Sequence, residues 1–336
     1  MTSRTSPTVL EARTVSRPSI LPGAAYGLLA AATFGSSGAT ARPLLSAGWT
    51  PGAAVLLRIG AACVILIGPA LLAMRGRWRL LRQRIGLLLI FGLLAVAGAQ
   101  LCYFNAVQHV SIGVALLLEY SGILLVVGWL WLRTRVRPPA LTFAGAAVAL
   151  VGLALVLDVF GGTHLSLIGV LWGLGAAVGL AAYFVLAART EDGLPPLVVV
   201  TTGMLVGTIG LAIAGLTGVM PMRAATTDVQ LAGVTLSWMV PAAWLCVMTA
   251  AVAYLSGVAS SRRLGSTMAS FFGLTEVLFA VLFAWLLLGE IPAAIQLAGG
   301  VLVLGGVVLV RLGELRRPPA RPAAAALIRG EVTGGR

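Results

Sequence analysis

Apolar runs of roughly 20 residues recur along the whole chain, and no other feature restricts its fold as much. Ten can be marked, near 22–47, 53–74, 86–107, 111–132, 140–158, 166–188, 196–217, 239–259, 267–288 and 292–311. A bilayer core about 30 Å thick takes ~20 residues of helix to cross. A lone segment in lipid must also satisfy its backbone within itself, so each run is read as a helix. The expected fold class is an all-α membrane protein of ten transmembrane helices. Composition agrees, with 59% hydrophobic residues, only 10% charged ones and a mean hydropathy of +1.02. Those values exclude a soluble globular domain.

The formal net charge is +13, and every basic residue is an arginine. Placement matters more than the sum, because the arginines lie between the apolar runs. Arg75, Arg77, Arg79, Arg82 and Arg84 form one group, and Arg133, Arg135 and Arg137 a second. Arg189 and the pair Arg262 and Arg263 follow, all on even-numbered connections. The odd-numbered ones hold only Arg223, in the long loop 218–238. Basic loops stay in the cytoplasm, so the reading is a multi-pass protein of the cell (inner) membrane with both termini cytoplasmic. A nucleic-acid partner is not expected, since such proteins carry their positive charge on a folded surface. The expected partners are a small-molecule substrate and the lipid bilayer, with a homo-oligomer left open.

Residues 1–20 and 312–336 read as disordered cytoplasmic tails, the latter rich in Pro, Arg and Ala. The first apolar run is long enough to span, which favours an uncleaved helix, although "ATA" at 39–41 keeps a cleaved leader open. Cys63, Cys102 and Cys246 lie in three separate apolar runs without metal-ligand spacing and read as small core residues. His109 and His164 fall at run ends with no catalytic neighbours, and neither a metal nor a cofactor is expected. Asp158 and Glu290 read as solvated helix ends.

The chain also repeats itself. "VVGWLWLRTRVRPPALTFAGAAVALVGLALVL" (126–157) lies on "AVLFAWLLLGEIPAAIQLAGGVLVLGGVVLVR" (280–311) at an offset of 154, pairing Gly145 with Gly299 and Gly152 with Gly306. Two five-helix repeats follow, 21–158 and 165–311. Five is odd, so the second copy must cross the membrane in the opposite sense. Inverted repeats of this kind are the architecture of secondary transporters, with a site at the midplane between the halves.

"FAVLFAWLLLGEIPAAIQLAGGVLVLGGVVLV" (279–310) resembles the closing pattern of the EamA domain of the drug/metabolite transporter superfamily. "CYFNAVQHVSIGVALLLEYSG" (102–122) is similar to the matching part of a first copy. Within that superfamily "LEYSG" looks most like the homoserine/threonine-type exporter branch. The resemblance implies a tandem EamA carrier. Ile123 and Val277 stand where that family usually has proline, which puts a gating role for a proline kink in doubt.

Glu119 and Glu276 are the central candidates, because an ionised group at bilayer depth costs on the order of 3 kcal/mol on insertion scales and is usually functional. In the repeat register Glu276 faces Gly122, one helical turn from Glu119. Small neighbours, Ala115 and Gly122 for one and Gly273 and Ala280 for the other, leave room for a cavity or for close helix contact. A carboxylate in a low-dielectric cavity can exchange its charge for a proton, or face a substrate ammonium group. An interhelical ion pair without a transport role is the plain alternative. Arg58 suits pairing with Glu119 or holding a substrate carboxylate equally, whereas Arg42 is expected to reach up to the interface. Thr33, Ser36, Ser37 and Thr40, continued by Tyr26, form a polar stripe that lines a path or packs helices. Gln100, Tyr103, Phe104 and Gln108 share a face, which suits an amphipathic ligand or helix contact. Tyr120 adjoins Glu119 and joins the candidates. Gly169/Gly173, Gly175/Gly179 and Gly203/Gly207 are read as packing, and nothing local gives Tyr183 or Tyr254 a task.

The function expected is a secondary carrier exporting a small metabolite, an amino acid or a relative, by alternating access with proton coupling. A membrane scaffold or regulatory subunit is the rival. An enzyme on lipid-linked substrates would need clustered catalytic residues, and the sequence offers none.

Overall fold

The computed structural model describes residues 21–76, 78–106, 109–110, 112–157, 166–189, 194–289 and 291–315. The two tails up to 20 and from 316, with Gln108, Asp158, His164 and Glu290, lie outside them. Ten helical segments follow one another. They are α1 (Leu21–Ser46), α2 (Pro51–Ala73) and α3, which runs through Trp78–Ile90, a π-helical stretch Phe91–Gly98 and Ala99–Ala106. α4 comprises Ile112–Tyr120 and Gly122–Thr134, and α5 is Ala140–Val156. α6 (Leu167–Arg189) and α7 (Pro196–Leu216) follow. α8 runs through Met239–Cys246, a second π-helical stretch Val247–Val252 and Ala253–Gly273. α9 (Thr275–Leu288) and α10 (Ala294–Leu315) complete the set. Six helices among the described residues are long and apolar enough to cross a membrane, and three more are apolar but shorter.

Local chemistry sets several boundaries. Thr50 caps α2 by accepting a hydrogen bond from the Ala53 amide, with Pro51 at the first helical position, where its missing N–H costs nothing. α4 loosens for one residue at Ser121, and α8 gives way to α9 at Leu274. Both interruptions occur without proline. Ile123 and Val277, two or three residues beyond, are buried in one apolar cluster with Phe271, Leu153 and Val303. Inside α8, Gly265 takes φ 79° and ψ 165°, a conformation essentially reserved for glycine, and turns the chain.

The helices reach further than the apolar runs. α3 starts at Trp78 and takes in Arg79, Arg82 and Arg84; α8 continues through Arg262 and Arg263; α10 extends to Leu315. Arginine is a good helix former, so helix continues where hydrophobicity stops. Arg263 lies over the Tyr26 ring with its guanidinium carbon 4.5 Å from the centroid. Arg262 donates to the Leu194 carbonyl at 2.6 Å. The start of α1, the start of α7 and the stretch of α8 just before Gly265 thus share one end of the bundle. At the other end the loop after α7 folds into a hairpin, β1 (Val229–Leu231) antiparallel to β2 (Val234–Leu236), turned by Ala232 and Gly233 at positive φ. Thr50 anchors that loop, accepting from the Arg223 amide at 2.9 Å and donating to the Pro221 carbonyl at 2.8 Å. The Ala232 amide bonds the Leu287 carbonyl at 3.1 Å, which satisfies one of the free acceptors at the end of α9.

Packing in one half recurs in the other. A Cβ added at Gly23 of α1 would meet Leu264 and Arg263; one at Gly169 of α6 would meet Val110 and His109, residues 154 positions earlier. Gly27 against Phe272 and Gly173 against Leu118 repeat the relation. The first helix of each half therefore packs on the third and fourth of the other. α5 and α10 run antiparallel in close contact. A Cβ at Gly145 would lie 2.7 Å from the Gly306 carbonyl oxygen, and one at Gly152 would lie 2.6 Å from that of Gly299. Only glycine permits backbones so near, which is the packing role expected of small residues in membrane helices. Gly175, Gly179, Gly203 and Gly207 likewise receive Cys102, Ala99, Phe91 and Val96.

Candidate functional site

A cavity of about 720 Å³ lies between the halves, extending along α1 from Gly27 to Leu45, about 27 Å at 1.5 Å per residue. α1 supplies Phe34, Ser37 and Arg42 to its wall, and α2 supplies Arg58 one turn after Ala54 and Val55. α3 adds Gln100 and Tyr103 just past its π-helical stretch, and α4 adds Glu119 and Tyr120 just before its interruption. α6 brings Tyr183 and Phe184, α8 brings Tyr254, and α9 brings Glu276 in its first turn. A helix N-terminus favours negative charge and a C-terminus opposes it. Glu276 thus occupies the favourable end of one helical piece, whereas Glu119 sits at the unfavourable end of another.

Seven of the eight sequence candidates share this one space: Glu119, Glu276, Arg58, Tyr120, Gln100, Tyr103 and Ser37. Ser36 is not on the wall. Its hydroxyl donates to the Thr33 carbonyl at 2.8 Å and accepts from the Trp244 indole at 2.9 Å, which ties α1 to α8. Thr33 and Thr40 bond carbonyls of their own helix, and Tyr26 lies under Arg263. The polar stripe therefore divides, with Ser37 facing the cavity and the others holding α1 together. Arg42, expected at the interface, also lines the cavity. The side chain of Phe104 lies outside the description. The thiols of Cys63 and Cys246 are buried against the Thr201 and Leu57 carbonyls.

Both glutamates are half-buried, and the Tyr120 hydroxyl donates to the Glu276 carboxylate. Arg58 is 9% exposed and comes within electrostatic reach of both acids. Its guanidinium carbon lies 5.9 Å from the Phe34 ring centroid, and its Nε has no hydrogen-bond partner. Gln100 hydrogen-bonds Tyr254, a residue 154 positions away on the equivalent helix of the other half. Phe34 and Tyr254 meet edge to face at 5.1 Å, Tyr254 and Tyr183 at 5.8 Å, and Tyr183 and Phe184 at 5.1 Å. The sequence names Tyr183 and Tyr254 without a task, and their assembly with Phe34 and Phe184 into one row is what it does not show. A second register would have pointed to it, because α1 and α6 match at an offset of 146, which aligns Ser37 with Tyr183. Chemically the cavity combines two acids, two arginines and an aromatic wall, and so can hold a small amphipathic molecule carrying charge.

Comparison with known proteins agrees with this architecture. The sequence pattern of the EamA-like transporter family matches residues 21–158 and again 167–312. A solved structure, titled only as the crystal structure of a protein, superposes with a TM-score of 0.70 at 18% identity. It covers 89% of this chain and 100% of its own length, which shows a shared fold. No curated protein matches the chain.

Proposed function

Because the chain belongs to the EamA-like transporter family, and so to multi-pass membrane proteins, we propose that it is a secondary carrier. It exports a small polar or amphipathic metabolite, an amino acid or a relative, by alternating access, and is not an enzyme. The observation that carries this reading is the single space between the halves onto which Glu119, Glu276 and Arg58 all face. Charged side chains at that depth are costly unless they face a cavity or one another.

The carrier has ten crossings arranged as two five-helix repeats of opposite sense. The reciprocal contacts of Gly145 with Gly306 and Gly152 with Gly299 support this, since exchanging the two halves turns one contact into the other. It sits in the inner (plasma) membrane with both termini cytoplasmic. The arginine-rich connections gather at the end where Arg262 meets Leu194 and Arg263 meets Tyr26, while the hairpin end carries only Arg223. Glu119 and Glu276 take part in proton coupling or in holding a substrate amine.

The test compares metabolites secreted by cells with and without the overexpressed chain. Flux of whatever accumulates is then measured in proteoliposomes after a pH jump. Enrichment of a small amphipathic metabolite outside the cells, with pH-driven flux, is expected. An unchanged secreted profile and no flux would contradict the reading.

A further inference from the structure

Charge and lipid-facing surface meet on α3. One side of its first turns packs into the main apolar core through Leu80, Leu81, Leu87, Leu88 and Phe91. The opposite side carries Arg79, Arg82, Gly86, Leu89 and Leu93 at helical spacing, and all five are exposed. Leu89 is 42% exposed, Leu93 53%, and Trp78 at the head of the stripe 49%. In a chain that crosses a bilayer, apolar exposure of this kind is contact with acyl chains, and a tryptophan at its edge marks the interface. From Arg82 to Leu93 the stripe runs roughly 16 Å at 1.5 Å per residue, about the hydrocarbon depth of one leaflet.

The head of that stripe is charge without a counter-charge. The side chains of Arg75, Arg79 and Arg82 are exposed and find no acceptor, carboxylate or ring among the described residues. No acidic residue stands between Glu11 and Glu119, so α3 and its flanks bring none of their own. Other arginines of the connections are taken: Arg262 by the Leu194 carbonyl, Arg263 by the Tyr26 ring and Arg137 by the Trp131 ring. Between the arginines and the leucines, a Cβ at Gly86 would meet nothing within 4 Å, which leaves an open notch on the stripe. A guanidinium is a planar fork of donors that matches a phosphate, and arginines just beyond an apolar span attract anionic lipid. At an offset of 154 the second half has Gly233 and Leu236 of the hairpin where α3 has Arg79 and Arg82, so this surface has no twin.

We propose that this face of α3 seats an anionic phospholipid, its phosphate held by Arg79 and Arg82 with Arg75 alongside, and an acyl chain lying over Gly86, Leu89 and Leu93. A zwitterionic lipid carries its own cation and gains less there, whereas an anionic headgroup supplies the missing counter-charge. The same helix turns π-helical at Phe91 and delivers Gln100 and Tyr103 to the cavity, so the lipid seat and the cavity wall share one element. The inference holds whatever the cavity carries.

The test titrates the full-length chain in dodecyl maltoside micelles with dioleoylphosphatidylglycerol or dioleoylphosphatidylcholine and counts bound lipids by native mass spectrometry. Glycerol phosphate serves as the source of free phosphate. The intact chain is expected to hold phosphatidylglycerol at least about fivefold better than phosphatidylcholine, and glycerol phosphate not at all. Arg79→Gln/Arg82→Gln brings that preference below about twofold, while its unfolding temperature without lipid stays that of the parent, since neither side chain loses a partner. Arg135→Gln/Arg137→Gln removes the same charge away from the stripe and keeps the preference at about threefold or more. Equal binding of the two lipids by the intact chain, a preference that survives in Arg79→Gln/Arg82→Gln, or the same loss in both double variants overturns the assignment. Glycerol phosphate held as tightly as lipid would give the arginines to a free anion and overturn the lipid seat.

Discussion

Gly23 and Gly27 of α1 rest on the side chains that stand 154 residues beyond those under Gly169 and Gly173 of α6, whereas the cavity walls of the two halves share little. Glu276 occupies the register of Gly122, Tyr254 that of Gln100, and Tyr183 that of Ser37. Arg58 has no counterpart, since α7 carries no charged residue at all. The seams repeat because a helix crossing at backbone contact leaves room only for small side chains. The walls are free of that restriction, and they have diverged into an acidic, a basic and an aromatic sector. Gly257 and Tyr183 form one large-and-small pair across the cavity; Ser37 and Tyr103, their counterparts, carry the large residue on the opposite partner.

If seams are rigid and walls adaptable, the largest effects should come from the seams. Gly152→Leu drives a branched side chain into the Gly299 carbonyl and the Val303 amide. Overpacking costs about 1–3 kcal/mol in a core that can shift and more where backbone is the obstacle. A loss of at least ~3 kcal/mol is therefore expected in detergent unfolding. Gly305→Ala on the same α10 meets nothing within 4 Å and should change stability by less than about 0.5 kcal/mol. Equal tolerance at both positions would remove the seam from the account.

Next comes the turn at Gly265. Alanine there must adopt φ 79° and ψ 165°, at a cost of about 1–3 kcal/mol, read as a lower unfolding temperature. The corresponding register position in the first half is Ser111, which lies outside the described residues. Thr50→Val removes the acceptor of the Arg223 amide and the donor to the Pro221 carbonyl, and about 1–2 kcal/mol is expected. It should also quicken proteolysis within 221–238, because Thr50 ties the start of that loop to α2. The smallest contrast lies within α1. Ser36→Ala loses the Trp244 bond and about 1 kcal/mol, whereas Ser37→Ala, on the cavity wall, leaves the unfolding temperature in place.

What could be read from the residues in advance follows the same division. The helices were legible because each apolar run has one way to satisfy its backbone in lipid. The glycine register was legible because packing repeats it. The start of α3 and the arginine-bearing stretch of α8 were not, since arginine continues a helix after hydrophobicity has stopped. Glu119, Glu276 and Arg58 stood out because charge is rare in such runs, while Tyr183 carried no local sign of a task and Phe184 was passed over, aromatic residues being ordinary there. Their place in the cavity depends on which helices of opposite halves meet, a long-range fact absent from any single segment. Ser36 and Ser37 show the limit most plainly: adjacent, chemically identical, and separated only by the partner each one faces.

The central claim is that the space between the halves is a transport path in which both acids act. The direct measurement is pH-driven efflux from loaded proteoliposomes containing the parent chain, Glu119→Gln or Glu276→Gln, at matched amounts of folded protein. The account expects each substitution to lower the pH-driven flux at least tenfold. Full and still pH-dependent efflux in both would contradict it.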